Sequence, residues 1–288
     1  MRAIEAIKLL IVQAFAQVCR HPSMRGRITI SEWLYRRLRL KHLVVRKRIG
    51  AISVELDLDS QLSRFVYFEA YERAEVQLIR HYLPRGGVAV DVGAHVGYLS
   101  AVMADAVGPS GAVYAFEPHP SNFDRLAVAV ASSRGVIRAH WAAVVGPSLA
   151  QTDAVPKTIR FGIDPRSEMW GSVVPERFLP LAESISVPAV TLDAFVEQHS
   201  ITRIDLIKID VEGGERAVVQ GLNQTLGRCR PIMVCELARA SAGQWDGEAV
   251  IELLRPFGYR PFAIGRDARL TPIGALDPSR TVNVVFLS

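Results

Sequence analysis

Residues 88–100, VAVDVGAHVGYLS, decide the fold of this chain. The stretch opens with the apolar run Val88–Val92, turns at Gly93 and Gly97, and then enters a segment of small and apolar residues. A short apolar strand, a glycine turn and a helix in this order are typical of a doubly wound sheet. Ligands of such sheets bind beyond the carboxyl ends of the strands, so we expect a binding site at this turn.

The same alternation of apolar strands and helices continues along the chain. We expect further strands at Ala112–Phe116, 136–145, 204–209, Ile232–Leu237 and Val282–Leu287, and helices at 98–106, 121–131, 215–222 and 249–256. Because helices that link parallel strands cover both faces of their sheet, this order predicts an α/β fold built on a parallel sheet. The proline-rich segment 146–186 is interpreted as an irregular substrate or lid insertion, with Phe161, Trp170 and Phe178 as pocket contacts.

A second strand end carries a carboxylate. Glu117 and Pro118 follow the predicted strand Ala112–Phe116, and Glu117 lies 24 residues after Gly93. A carboxylate at this point of a doubly wound sheet accepts hydrogen bonds from both hydroxyls of a ribose. The two strand ends together predict a nucleoside ligand, whereas the glycine turn alone is equally typical of any tight connection between a strand and a helix.

The glycine pattern indicates which nucleoside binds. The loop from Gly93 to Gly97 is GxxxG, one glycine short of the GxGxxG that holds a dinucleotide pyrophosphate. Asp91 repels phosphate but attracts the ammonium group of an amino-acid tail, which S-adenosylmethionine carries beside its ribose. We therefore predict S-adenosylmethionine as cofactor, with an NAD-dependent oxidoreductase as the alternative. The predicted cofactor-binding residues are Asp91, Gly93, Ala94, His95, Gly97, Tyr98, Glu117, Pro118, Ala142 and Asp210.

A third strand end supplies the candidate catalytic groups. The strand predicted at 204–209 runs directly into Asp210 and Glu212, so both acids are expected at the same edge of the sheet. Transfer of a group to a weak nucleophile such as an alcohol would need a general base, and Asp210, Glu212 and His95 are the candidates. Acidic residues also favour helix N-termini for electrostatic reasons, which explains Glu212 better than Asp210. We predict no metal ion, although Asp210, Glu212 and Glu236 would suit Mg²⁺ if they approached each other.

At these residues the chain resembles the FkbM-like family of S-adenosylmethionine-dependent methyltransferases. The matching segments are VDVGAHVGYLS at 90–100, VYAFEP at 113–118, TLD at 191–193, LIKIDVEGGE at 206–215 and PIMVCEL at 231–237. The resemblance implies a class I methyltransferase fold, which is Rossmann-like, with a mostly parallel seven-stranded sheet, helices on both faces and a last antiparallel strand. It also implies O-methylation of a hydroxyl on a sugar, a glycolipid or a natural product.

Two residues depart from the pattern of that family. His95 stands where the family commonly has Asn, and Gly214 stands where a larger residue, often His, is common. The first departure changes the group that faces the cofactor. The second removes a side chain to which a basic role would otherwise be assigned by resemblance.

The N-terminal 60 residues lie outside the resemblance and hold the positive charge. Residues 1–50 contain twelve Lys and Arg against two Glu, while the whole chain has a net charge of +5, so the remainder is net acidic. Apolar residues at helical spacing predict an amphipathic helix with one apolar stripe, which packs on its own domain or lies on a membrane or a partner chain: Ile4, Ile7, Ile11, Phe15 and Val18. We expect residues 1–60 to form a basic extension and residues 61–288 to form the methyltransferase domain.

Composition limits the partners and the location of the chain. Three cysteines without a CxxC pair predict no disulfide framework and fit a reducing cytoplasm. The basic extension is either simply solvated or makes peripheral contact with an anionic membrane. We expect a small-molecule or glycan acceptor and no nucleic acid, because the chain after residue 50 is net acidic. A non-catalytic module on the same fold, tethered to a membrane or a partner, is the alternative outside enzymes.

Overall fold

The structure is a computed structural model that describes residues 2–21, 24–147, 158–163, 171–172, 183–237, 247–265, 267–274, 276 and 282–288. The α-helices described are α1 Arg2–Cys19, α2 Arg27–Leu38, α3 Gln61–Tyr67, α4 Arg73–Tyr82, α5 Tyr98–Val107, α6 Pro120–Ser132, α7 Leu192–Gln198, α8 Glu215–Gln220, α9 Asn223–Cys229 and α10 Gly247–Leu254, with a 3-10 turn at Arg255–Phe257. The strands are β1 Val44–Ile49, β2 Ile52–Asp57, β3 Val88–Val92, β4 Ala112–Phe116, β5 Ile137–His140, β6 Ala143–Val144, β7 Thr158–Ile163, β8 Gly171–Ser172, β9 Glu183–Val190, β10 Leu206–Ile209, β11 Ile232–Leu237, β12 Arg260–Ile264, β13 Leu270–Pro272 and β14 Val282–Leu287.

A large sheet of eight strands, in the order β13-β12-β14-β11-β10-β3-β4-β5, forms the centre of the molecule. The five strands from β11 to β5 are parallel, whereas β14, β12 and β13 pair antiparallel with their neighbours. The predicted class I methyltransferase fold is confirmed, including the antiparallel last strand. The sheet has one strand more than the seven predicted, because the short β13 pairs with β12 at the outer edge.

Alternate residues of the central strands enter two separate hydrophobic cores. Ala89 of β3 packs in the core of the N-terminal helices and α5, while Val90 and Val92 pack in the core that contains α7, α8, α9 and α10. All four residues of β10 are buried. Because both faces of a parallel sheet are covered, its central strands are apolar along their whole length. This pattern made the strands predictable from the sequence.

The predicted N-terminal helix is confirmed as α1, and its apolar stripe is divided between the core and solvent. Val12, Ala16 and Cys19 are the buried residues of this helix, and Ile11 and Phe15 of the stripe pack against the core, whereas Ile7 and Val18 are exposed. The helix is apolar on both sides, so periodicity alone does not determine which side is buried. Among the described residues, none of the helices has the length and the apolar run that crossing a bilayer requires.

Helices α1 and α2 form an antiparallel hairpin that is tied at both ends. The guanidinium of Arg27, at the start of α2, donates hydrogen bonds to the carbonyls of Cys19 and His21, each at 2.8 Å. At the other end, Lys8 Nζ donates to the carbonyl of Arg39 at 3.2 Å. These bonds hold the outer surface of the hairpin in one arrangement.

The strands β1 and β2 form a hairpin that connects the N-terminal layer to the central domain. Lys47 of β1 is buried, and its ammonium group donates to the carbonyls of Val66 at 2.9 Å and Tyr67 at 3.5 Å and pairs with the carboxylate of Glu69. These three oxygen partners replace the water molecules that the ammonium group would bind in solvent. The hairpin is therefore fixed to the chain that leads into α4.

The segment predicted as an irregular insertion at 146–186 contains strands. Strand β7 pairs antiparallel with β9, and β9 also pairs in parallel with β6. Phe161 packs in the small core of this sheet with Val145 and Val187, so its predicted role as a pocket contact is wrong. Trp170 and Phe178 lie outside the described residues, and their predicted roles stay untested.

Candidate active site

The glycine turn after β3 fixes two neighbouring strand ends against each other. Gly93 has a φ of +84°, and a Cβ on it would lie 1.8 Å from the carbonyl oxygen of Asp210. Its amide and that of Ala94 both donate to the carbonyl of Phe116, at 3.0 and 2.9 Å. Only glycine allows this approach and this backbone conformation. The turn therefore joins the ends of β3, β4 and β10 in one site.

Gly97, the second glycine of the turn, begins α5. It has a φ of +83°, and a Cβ on it would lie 2.5 Å from Leu126 Cδ1 on α6. The following residue, Tyr98, is buried, and its ring centroid lies 6.5 Å from that of Tyr71. Gly97 therefore serves the packing of two helices, and Tyr98 forms a wall between the turn and the segment before α4.

Asp91 is a buried carboxyl group with one free oxygen. Its Oδ2 atom accepts a hydrogen bond from the hydroxyl of Ser100 on α5, while Oδ1 is buried and has no hydrogen-bond partner among the described residues. Burial raises the pKa of Asp91. An unsatisfied buried carboxyl oxygen is costly, so this atom fits a donor on a ligand.

Glu117 holds the turn from the second strand end. Its two carboxylate oxygens accept the amides of His95 at 2.7 Å and His119 at 2.8 Å. Burial raises the pKa of Glu117 to about 7. The carboxylate also makes a hydrogen bond with the Asn122 side chain, and its remaining acceptor capacity can receive a ribose hydroxyl.

His95 is a buried imidazole without partners. Its φ is +52°, and neither Nδ1 nor Nε2 has a hydrogen-bond partner among the described residues. Burial lowers the pKa of His95 to about 4, so the ring is neutral at physiological pH. A neutral imidazole has one donor and one acceptor nitrogen, and both are available to a ligand here.

Lys208 and Asp210 form an ion pair at the end of β10. The Lys208 ammonium lies 2.8 Å from Asp210 Oδ2, and both side chains are largely buried. Burial opposes the charge on Lys208, but the carboxylates of Asp210, Glu72 and Asp91 outweigh it and raise the pKa of this lysine. Burial likewise opposes the charge on Asp210, and Lys208 outweighs it, so the pKa of Asp210 is lowered. Asp210 is thus an ionised anchor.

Three carboxyl groups meet beside this ion pair. Oxygen atoms of Glu72, Asp210 and Glu236 lie within 4.8 Å of one another. Burial and the charge of Asp210 raise the pKa of Glu236 to about 9, so Glu236 is protonated at neutral pH and bonds to Asp210. Burial raises the pKa of Glu72 to about 7, although Lys208 acts against this rise. We call Glu72, Asp210 and Glu236 the acid cluster.

The acid cluster is not the set of acids that the sequence suggested as possible Mg²⁺ ligands, which was Asp210, Glu212 and Glu236. Among the described residues, the third acid that joins Asp210 and Glu236 is Glu72, which precedes α4, and not Glu212. Glu212 has a φ of +54° in the turn before α8. Glu215, close by, accepts the amides of Val211 and Gly213 at 3.2 and 2.9 Å, which is a structural role.

The carboxyl edge of the sheet is more apolar at its other end, after β4 and β5. Ala142 is buried after β5, and the carbonyl of Pro118 accepts the indole N–H of Trp141 at 2.9 Å. Trp141 is 40% exposed at the end of β5, and its position in the site was not predicted from the sequence. Pro118 and Trp141 therefore give this end of the edge an accessible apolar surface.

Other residues of the family motifs are structural. The hydroxyl of Thr191 caps α7 by accepting the amide of Ala194 at 3.2 Å, and the carboxylate of Asp193 accepts the amides of Gln224 and Thr225 at 2.9 and 2.8 Å. The Thr-Leu-Asp motif therefore begins two helices and lies outside the site.

A sheet of this strand order with a glycine turn and an acidic edge defines a class I methyltransferase. The family model of the methyltransferase FkbM domain matches residues 91–261, more than half of the chain, so the protein belongs to that family. The family predicted from the sequence is thereby confirmed. S-Adenosylmethionine, the cofactor of this family, is confirmed as the predicted cofactor.

Several solved structures are similar to this chain at low identity. Methyltransferase FkbM from Methylobacillus flagellatus KT has a TM-score of 0.44 and 15% identity, and the match covers 79% of this chain and 54% of that protein. Aeropyrum pernix fibrillarin with bound S-adenosyl-L-methionine has a TM-score of 0.42 and 13% identity, covering 74% and 73%. The O-methyltransferase from Bacillus cereus in complex with SAH has a TM-score of 0.41 and 9% identity, covering 96% and 98%. The chain thus spans about half of the Methylobacillus protein. No match was found among curated proteins.

The residues at the edge fit the cofactor. S-Adenosylmethionine carries a sulfonium and an ammonium, and the edge has the carboxyl groups of Asp91, Asp210 and Glu72 beside the single ammonium of Lys208. The free Oδ1 of Asp91 and the two free nitrogens of His95 are buried polar atoms that a ligand with donors and acceptors would satisfy.

Proposed function

We propose that this protein is an S-adenosylmethionine-dependent O-methyltransferase that acts on a hydroxyl of a sugar, a glycolipid or a natural product. The observation that carries the proposal is the acid cluster beside the cofactor turn, where Glu72 has a raised pKa of about 7. A carboxylate whose pKa lies near the working pH is suited to accept the proton of an alcohol.

The cofactor side of the site is assigned from the strand ends. Asp91 receives the ammonium of the amino-acid tail, Glu117 receives the ribose hydroxyls, and Pro118, Ala142 and Trp141 contact the adenine. Gly93, Ala94 and Gly97 shape the turn that surrounds the tail, with Tyr98 behind it. When bound, the cofactor supplies an activated methyl group on its sulfonium, so the protein has to position the acceptor in line with that group.

The acceptor side of the site is assigned to His95 and the acid cluster. We assign proton acceptance to Glu72, because its Oε2 atom is buried without a partner among the described residues and the pKa of the group is about 7. His95, neutral and unpartnered within that same part of the chain, orients the acceptor hydroxyl. Asp210, fixed by Lys208, holds the acceptor through a hydrogen bond, and Glu212 at the rim of the turn is the remaining candidate base.

The setting of the reaction is part of the same proposal. We place the enzyme in the cytoplasm, with a small-molecule or glycan acceptor and peripheral contact of the N-terminal segment with an anionic membrane. No observation favours an NAD-dependent oxidoreductase, because the turn lacks the third glycine and the family is one of methyltransferases.

Calorimetry with S-adenosylhomocysteine and with NAD tests the cofactor side. We expect S-adenosylhomocysteine to bind and NAD not to bind. Asp91→Ala and Glu117→Ala should each weaken binding by about ten- to a hundredfold, because hydrogen bonds to charged groups are lost. The control is Asp124→Asn, an exposed carboxyl on α6. Unchanged affinity in both alanine variants would remove the proposed cofactor site.

Methyl transfer itself is tested with a labelled cofactor. Incubation with methyl-labelled S-adenosylmethionine and separate pools of sugars, glycolipids and polyketide-type alcohols should label one pool, and mass spectrometry of the product should locate the methyl on oxygen. Label on nitrogen or carbon would contradict O-methylation while leaving the methyltransferase assignment in place.

A further inference from the structure

Exposed apolar side chains of this protein gather in its N-terminal layer. Among the described residues, seven large apolar side chains are exposed, and six of them lie within the first 44 residues: Ile7, Leu10, Val18, Ile28, Trp33 and Val44. Single exposed apolar residues are normal on any protein surface, but a concentration in one layer indicates an interaction surface.

Three of these side chains form a continuous stripe along α1. Ile7, Leu10 and Val18 are exposed by 57%, 65% and 54%, and Ala14 between them is also exposed. Their spacing of three and four residues places them on one side of the helix, opposite the buried Val12. The outward side of α1 is therefore apolar although solvent surrounds it.

A tryptophan on α2 adjoins the stripe. Trp33 is 55% exposed, and its ring centroid lies 6.3 Å from that of Phe15, which follows Ala14 on α1. Ile28, earlier in α2, is also exposed. We call Ile7, Leu10, Ala14, Val18 and Trp33 the apolar face of the hairpin.

Exposed positive charge lies along the same two helices as the apolar face. Six exposed cationic side chains lie on or beside α1 and α2: Arg20, Arg25, Arg36, Arg37, Arg39 and Lys41. None of the six pairs with a carboxylate in the part of the chain that the structure describes. Of the two acids in this region, Glu32 is taken by Arg64 at 2.9 Å and Glu5 stays exposed. The surface therefore has a strong excess of unpaired cations.

We propose that the apolar face and the exposed cations along the same helices bind the surface of an anionic lipid bilayer. The apolar side chains enter the boundary between headgroups and acyl chains, Trp33 lies at that boundary, and the cations meet lipid phosphates. A second copy of the chain is a poorer occupant, because it would bring two strongly cationic surfaces together. This surface deepens the membrane contact given with the proposed function, because it names the residues that would make that contact, and it does not depend on methyl transfer.

The charge part of the proposal is tested by vesicle co-sedimentation of the full-length protein. The vesicles are phosphatidylcholine alone and phosphatidylcholine with 30% phosphatidylglycerol. We expect binding to the anionic vesicles, weakened by 0.5 M salt, and little binding to the neutral ones. Arg36→Glu/Arg37→Glu should weaken anionic binding by at least about tenfold. The matched control is Arg134→Glu/Arg230→Glu, which changes net charge equally at two exposed sites outside the layer.

The apolar part is tested by Leu10→Ser and by fluorescence. Leu10→Ser, at the most exposed position of the stripe, should weaken anionic binding by more than threefold while the melting temperature stays unchanged. Brominated acyl chains should quench the fluorescence of Trp33, and Trp33→Phe should abolish most of that quenching.

Equal binding by the arginine variant and its control overturns the proposal, as does binding to neither vesicle. Self-association of the wild type that Leu10→Ser abolishes, without vesicle binding, would identify a second copy as the occupant.

Discussion

The carboxyl group of Glu72 has the properties of a proton acceptor near neutral pH. One of its oxygens is buried without a partner among the described residues, and burial raises its pKa to about 7. Asp210 has a lowered pKa and is bonded to Lys208, so it is a weaker base. His95 is available but also a weak base, because burial lowers its pKa to about 4.

Substitution of Glu72 tests this assignment. Glu72→Gln keeps the shape of the side chain and removes the base, so we expect kcat to fall by about 10²- to 10⁴-fold. The acid limb of the pH–rate profile near 7 should disappear, and affinity for S-adenosylhomocysteine should change little. Glu197→Gln, an exposed site on α7, is the control. A normal pH profile in Glu72→Gln would move the base to Asp210, Glu212 or His95.

The position of each acid explains which of them were predictable. Asp91, Glu117 and Asp210 lie in or directly after apolar strands, so their common edge follows from the strands alone. Glu72 precedes α4 outside the sheet and reaches the site through tertiary packing. No local pattern marks such a residue, and the same is true of the exposed Trp141.

The turn between β3 and α5 is the element on which the site depends. Gly93→Ala would place a methyl group against the backbone carbonyl of Asp210 at a φ of +84°. We expect a loss of about 3 kcal/mol or more in the free energy of unfolding, together with loss of S-adenosylhomocysteine binding. Urea unfolding and calorimetry measure the two effects.

Gly135 offers a matched control for that substitution. Its φ is +87°, close to that of Gly93, but a Cβ on Gly135 would meet no atom within 4 Å among the described residues. Gly135→Ala should therefore cost about 1 kcal/mol for backbone strain alone and leave cofactor binding intact. Similar losses in both variants would mean that the contact with Asp210 is unimportant.

Elements that are apolar along their whole length were predictable, and others were not. The parallel strands β3, β4 and β11 were located within a residue, because buried parallel strands require continuous apolar runs, and the antiparallel β14 has a similar apolar run. The pairing of β7 with β9 was missed because prolines in and around 146–186 obscured the alternation. The buried face of α1 could not be predicted, because both sides of that helix are apolar.

The whole molecule should lose stability as pH rises above 6.5. Burial raises the pKa of Glu72 and Glu117 to about 7 and, together with Asp210, that of Glu236 to about 9. The folded state therefore binds more protons than the unfolded state between the ordinary value of 4.5 and those values, so stability falls over that range and levels off above them. Above pH 7 the remaining fall comes mainly from Glu236. His95 acts in the opposite direction, but only below pH 6.5, because its pKa is lowered.

Thermal unfolding of the cofactor-free protein measures this effect. We expect the melting temperature to fall by at least about 2 °C between pH 6.5 and pH 9. Glu236→Gln should flatten the decline above pH 7, because it removes the group with the highest of these pKa values, while Glu197→Gln should not. A melting temperature that is constant or rises over this range would contradict the assignment of buried protonated acids.

The buried Lys47 connects two distant parts of the protein. Its ammonium binds the carbonyls of Val66 and Tyr67 and the carboxylate of Glu69, three residues before Glu72. The layer that carries the apolar face is thus joined through one side chain to the segment that supplies the acid cluster. If lipid contact shifts this lysine, it can change the affinity of the protein for its cofactor. Thermodynamic linkage then requires that cofactor binding change the affinity of the protein for lipid by the same factor.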